Sequence, residues 1–212
     1  MKKKIVILGL ALVLAFALGI GGTLAWLTAQ TDTVTNTFTT AGIDITLNET
    51  FNTDSDDDGT NDEWQAKMVP GYTYAKDPKV TVESTTTEDC WLFVKFEETN
   101  NPSTYLDYTS TLTAANGWTQ GTGTGEGKNG VPTNVWYRHV EANAETKSWY
   151  LLQGNTTYAN GCVSVKSTVT KDDMTTAASA TLTYTAYACQ YYKNNTEPFT
   201  AAEAWGNMSS AS

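Results

Sequence analysis

The chain has 212 residues, 40% of them hydrophobic, and its 23 acidic side chains outnumber 13 basic ones for a net charge of −10. So acidic a surface repels phosphate backbones, which argues against nucleic acid as a partner, and it draws divalent cations instead. Three cysteines allow at most one internal disulfide, so this is not a disulfide-stapled scaffold and it must rely on a hydrophobic core.

Lys2, Lys3 and Lys4 precede an uncharged apolar run from Ile5 to Ile20. Gly21-Gly22-Thr23-Leu24-Ala25 follows, with Thr23 and Ala25 placed as the small residues of a cleavage site. This is the order of a secretory signal peptide. Residues 1–25 are expected to be removed by a signal peptidase during export, and the remainder to be secreted to the extracellular matrix or cell surface. Removal leaves 187 residues with a net charge of −13, one domain of ordinary size. Read on through Trp26 and Leu27, the apolar run reaches the length of a bilayer span. No basic stop-transfer cluster follows it and no cysteine lies near the cut, so a permanent membrane anchor is not expected.

Residues 26–40 contain no Pro or Gly, are rich in Thr, and carry Trp26, Val34 and Phe38 as apolar anchors. They read as an extended segment, a candidate donor strand for β-augmentation of another sheet or a strand of the chain's own domain. Residues 41–212 read as a β-sandwich domain. Ile43, Ile45 and Leu47 alternate with polar residues, as do Val80 and Val82. Trp91-Leu92-Phe93-Val94-Lys95-Phe96 is apolar on both faces and predicts a central strand. Val135–Arg138 and Trp149–Leu152 predict a hairpin across Glu141–Lys147. Val163, Val165 and Val169 predict a further strand. Over 181–189, Leu182, Tyr184, Ala186 and Ala188 are expected on one face, with Thr181, Thr183, Thr185, Tyr187 and Cys189 on the other. Helix signals are few: Thr200-Ala201-Ala202-Glu203 fits a capping box for a short helix ending near Trp205, and Lys171–Thr176 predicts another short turn. Gly117–Gly130 reads as a polar loop, and Val69-Pro70-Gly71-Tyr72 as a turn. Short strands separated by turn residues predict an all-β, jelly-roll-like antiparallel sandwich with one or two short helices.

Asp54-Ser55-Asp56-Asp57-Asp58-Gly59-Thr60-Asn61-Asp62 is the strongest local motif. Calcium is a hard ion that collects roughly six to eight oxygens. Alternating Asp54, Asp56 and Asp58, the Thr60 carbonyl and Asp62 supply them in the manner of EF-hand and thrombospondin type 3 loops. Gln65 stands where the bidentate Glu of an EF-hand belongs, which predicts a weak calcium site. The other reading is a solvated acidic loop. Gly125–Gly130 satisfies G-x-G-x-x-G without a preceding strand or following helix, which argues against a nucleotide. His139 is the single histidine, too few for a zinc hydrolase of the H-E-x-x-H kind, and no G-x-S-x-G accompanies it. Cys90, Cys162 and Cys189 read either as small buried hydrophobes or as one bridge plus a free thiol, with no pair favoured.

Three stretches together resemble the TasA/camelysin-like secreted proteins of bacteria, whose leaders are cut by a SipW-type signal peptidase. They are Gly21–Thr28 with Asn36–Ile45; Val69-Pro70-Gly71 with Lys76–Val82 and Asp89–Lys95; and Thr181–Ala188 with Ala201–Trp205. The resemblance implies a jelly-roll-like sandwich and a non-enzymatic role in extracellular biofilm fibres, with an N-terminal segment of one subunit completing the sheet of the next. Self-association or related matrix subunits are then the expected partners. Camelysin-like proteins have been classed as metallopeptidases, but no zinc-peptidase pattern is present, so that activity is not carried over. The alternative is a monomeric calcium-dependent binding module or adhesin, with Trp118 or Trp149 stacking on sugar rings.

Overall fold

The computed structural model describes residues 28–30, 42–50, 68–124, 130–177, 180–194 and 196–209. It is an all-β antiparallel sandwich with short helices, as the alternation predicts. The strands are β1 (Thr28–Gln30), β2 (Ile45–Asn48), β3 (Thr73–Ala75), β4 (Lys79–Val82), β5 (Cys90–Thr99), β6 (Leu106–Asp107), β7 (Thr119–Gln120), β8 (Val135–Val140), β9 (Ser148–Tyr150), β10 (Cys162–Val165) and β11 (Thr181–Gln190). Two helices, α1 (Lys171–Ala177) and α2 (Ala201–Ser209), complete it. The sheets run β1-β11-β5-β8-β7, β3-β10-β6 and β2-β4-β9. Among the described strands only β7 and β8 are both paired and consecutive in sequence, so the chain repeatedly crosses between sheets, as in a jelly roll.

The period of two along β5 places Cys90, Leu92 and Val94 in one apolar cluster and Phe93 in another. The first cluster lies between the five-stranded sheet and β2-β4-β9. It holds Ile45, Leu47, Val80 and Val82 from one side and Tyr184, Ala186 and Ala188 from the other. The second packs the opposite face of the sheet against α2 through Phe93, Val135, Cys189, Ala204, Trp205 and Met208. A strand covered on both faces has no solvent side, which is why Trp91–Val94 reads as continuously apolar before Lys95 turns to Glu97.

The hairpin expected between Val135–Arg138 and Trp149–Leu152 does not form. β8 pairs with β5 and β7, whereas β9 pairs with β4. The Glu141–Lys147 connection instead crosses between sheets, where the Lys147 carbonyl accepts the Val82 N–H at 2.8 Å. Sheets stack about 10 Å apart, a gap such a connection spans. Val169 is buried but lies beyond the end of β10, in a turn closed by its own N–H to the Lys166 carbonyl at 3.1 Å. The expected Gly117–Gly130 loop contains β7, and Gly123 bridges to Pro132. The Val69–Tyr72 turn forms as expected, with the Tyr72 N–H donating to the Val69 carbonyl at 3.0 Å and Gly71 at φ 80°.

The capping box at α2 is complete: Glu203 N–H donates to Thr200 Oγ1 at 3.2 Å, and Thr200 N–H to Glu203 Oε2 at 2.9 Å. The helix runs one turn beyond Trp205 because Ala201, Ala204, Trp205 and Met208 fall on one face and bury against the sheet. α1 is capped in the same way by Thr170 and Asp173. Glu203 is also held by Lys193 at 2.9 Å. That hydrogen bond first, and those from Thr200 next, bring its carboxyl from 4.5 down to about 2. The stability it contributes is present above 4.5 and is lost as pH falls toward 2. Acid titration followed by Trp205 fluorescence is therefore expected to show loosening of α2 in that window, and Glu203→Gln to flatten it.

Candidate functional site

β11 lies between the short β1 and the long β5 in the main sheet. On one side it pairs with β5 in unbroken register from Thr181↔Thr99 to Gln190↔Cys90. On the other, β1 covers only Tyr187–Cys189, with Thr28↔Cys189 and Gln30↔Tyr187. Among the described residues no strand pairs with Thr181–Thr185 on that side. The run 181–189 holds no Pro, Lys, Glu or Asp, the residues with which natural sheets blunt an edge. Trp26, Val34 and Phe38 of the candidate donor segment lie outside the described residues, whereas Thr28–Gln30 from the same segment form β1 on their own chain's sheet.

Asp54, Asp56, Asp58, Thr60 and Asp62 also lie outside the described residues. What precedes that acidic segment is firmly held. Asp77, 6% exposed, accepts the Thr50 N–H at 3.0 Å and the Thr50 hydroxyl at 2.5 Å. Lys76, 8% exposed, reaches both Glu49 carboxylate oxygens at 3.0 and 3.1 Å. The Lys76 N–H donates to the Gly161 carbonyl at 3.1 Å, and a Cβ on Gly161 would stand 2.3 Å from the Lys76 carbonyl, so only glycine admits this approach. Burial raises the Glu49 carboxyl above its ordinary value, against the opposing pull of Lys76. Sequence reasoning missed this ionic cluster, although a signal was present. Glu49 continues the inward phase of Ile43, Ile45 and Leu47, and Lys76 follows Tyr74 by the same step of two.

The expectation that Trp118 offers an exposed ring is overturned. Trp118 is 2% exposed. A 3₁₀ turn over Ala114–Asn116 ends at Gly117 with φ +77°, and the Trp118 N–H folds back onto the Thr113 carbonyl at 3.0 Å. Trp149 packs edge-on against Trp118, with Arg138 over both rings at 4.2 and 5.1 Å. Burial lowers the Arg138 pKa. His139 stacks on Tyr191 with 3.8 Å between ring centres, and its Nε2 lies 3.5 Å from Asp89, whose other oxygen accepts the Ala142 N–H. Its ring is thus held between Tyr191 and Asp89 at a sheet margin, with Nε2 buried and making no hydrogen bond among the described residues.

All three cysteines are free. Cys90 and Cys189 stand on paired strands but on opposite faces of the sheet, in different clusters, so they cannot bridge. Burial pushes both thiols to about 12. Cys162 opens into a shallow polar cleft of about 620 Å³ with Asp107, Tyr108, Gln153 and Lys166. Burial raises this thiol too, and Asp107 is drawn to Lys166 at 3.7 Å, so no activated nucleophile is assembled there.

Among the described residues, no group of three or more His, Cys, Asp or Glu is placed to hold a metal ion, and no helix is long and apolar enough to cross a membrane. No protein-family model, curated protein or solved structure matches the chain.

Proposed function

We propose that the chain is a secreted, non-enzymatic structural protein of an extracellular matrix, assembling by addition of an N-terminal strand to the β11 edge of another copy. The observation that carries this reading is the asymmetry of β11 among the described residues: it is paired along ten residues on one side, whereas on the other no described strand pairs with Thr181–Thr185. A row of backbone donors and acceptors without edge charges is a template for strand addition, and the main-chain hydrogen bonds of such an addition supply affinity without a preformed pocket. The leader-like residues 1–25 and the resemblance to fibre-forming secreted proteins support the same reading.

Deleting residues 26–40 is expected to abolish polymers seen by electron microscopy and light scattering while the circular dichroism of the body stays β-rich. Polymers that persist without the segment would reject strand donation. The monomeric binding-module reading has lost its exposed ring at Trp118, and no other observation favours it over assembly.

Calcium enters the proposal as a ligand of Asp54, Asp56, Asp58, Thr60 and Asp62. Because an ion that binds only the folded chain raises its melting temperature with concentration, millimolar calcium is expected to raise Tm, and Asp56→Asn with Asp58→Asn to remove the shift. No shift in the parent chain would delete calcium from this reading.

A further inference from the structure

Among the ion pairs of the described residues, Lys76–Glu49 alone is buried on both sides, each side chain 10% exposed; in every other pair both partners are at least 25% exposed. The amine is centred on the carboxyl group, 3.0 and 3.1 Å from its two oxygens. We infer that Lys76 and Glu49 condense after folding into an intramolecular isopeptide bond that ties the end of β2 to the end of β3.

The chemistry balances without a co-reactant. A proton passes from the Lys76 ammonium to the Glu49 carboxylate, converting the ion pair into a neutral amine and a neutral acid. The Nζ lone pair attacks Cδ, an Nζ–Cδ bond forms, a Cδ–Oε bond breaks, and one water leaves with the oxygen and two hydrogens. Nothing is oxidised or reduced. Burial favours the neutral pair over the charged one, and it acts on Glu49 in that direction. Holding the two groups in contact supplies an effective molarity on the order of 10⁵ M or more, which is what a condensation otherwise unfavourable in water requires.

The surroundings provide for the charge that develops. The Asp77 backbone acts on the Glu49 carboxyl in the direction that favours its charged form, as a donor to a developing oxyanion must. Tyr184, 6% exposed, carries a buried hydroxyl with no hydrogen-bond partner and feels the charge of Glu49, a donor left unspent in the folded chain. The Asp77 side chain is committed to Thr50, which holds the residue following Glu49 beside the residue following Lys76. A bond here would close a loop spanning the acidic segment 51–67 and would resist forces pulling β2 from the body. It does not depend on strand donation, because it lies within one subunit.

The test is mass spectrometry of the purified, folded chain, intact and after proteolysis. The expected result is a mass lower by one water than the sequence requires, with a branched peptide joining Glu49 to Lys76. Lys76→Arg keeps the cation but offers no amine, and its mass is expected to equal its sequence. Tyr184→Phe is expected to slow the appearance of the branched peptide in a time course begun by refolding. A parent chain at its full sequence mass, a water loss mapped to another pair, or the same loss in Lys76→Arg would each overturn the inference.

Discussion

Replacing Phe93 with alanine is expected to lower the unfolding free energy by about 3–5 kcal/mol, the range for removing a fully buried aromatic side chain. Phe93 is 0% exposed and sits where α2 meets the five-stranded sheet, 5.3 Å from the Trp205 ring and 5.9 Å from the Tyr137 ring. Its loss would leave a cavity bounded by strands on one side, which are hydrogen-bonded into a sheet and cannot close in. On the other side α2 is held by its capping box and by Lys193, so it too is restrained from collapsing onto the void. Urea unfolding should show the midpoint falling with an unchanged slope. Tyr72→Ala, at a side chain 60% exposed, should move it by no more than about 0.5 kcal/mol. A double-mutant cycle with Trp205→Ala should return a coupling of about 0.5–1.5 kcal/mol, the part due to the aromatic pair itself.

Phe93 was legible in the sequence as a residue of a strand apolar on both faces, and that pattern held because two different layers cover β5. The inward phases of β2, β4 and β11 were legible for the same reason: each has one face on the core, and a slip of one residue would expose it. The capping box marked the start of α2 correctly. Its end was misplaced because Met208 was not counted on the face that Ala201, Ala204 and Trp205 define. The false hairpin shows the limit of local reasoning. Two apolar runs separated by a short polar stretch pair with each other only if nothing else competes, and here β5 and β4 compete from distant parts of the chain. Trp118 was misjudged because its burial depends on a 3₁₀ turn and on Arg138, neither of which periodicity reports. The ionic cluster of Glu49, Lys76 and Asp77 needed the pairing of separate strands to bring together charges 27 residues apart.

Lys76→Ala is expected to cost about 3–5 kcal/mol, because it leaves the Glu49 carboxyl buried with no cation beside it. The cost is relative to a parent held by the ion pair; the pH profile of the variant, which has no amine, is independent of whether the parent chain forms the isopeptide bond. The cost should depend on pH in one direction. Burial holds the folded Glu49 carboxyl above 4.5, and without Lys76 the largest influences that oppose burial are gone, leaving only the Asp77 backbone. Below 4.5 the group is neutral in both folded and unfolded chains and no penalty arises. As pH rises the unfolded chain ionises first, so the stability of the variant should fall through the window between 4.5 and the raised folded value and then level off. Adding Glu49→Gln should abolish that fall, and Lys76→Met with Glu49→Leu should recover most of the loss by replacing charge with packing. Denaturant midpoints across the acid-to-neutral range decide the matter: a Lys76→Ala profile as flat as that of the Glu49→Gln double variant would mean that water reaches Glu49 and that the cluster is not the dry ionic core described above.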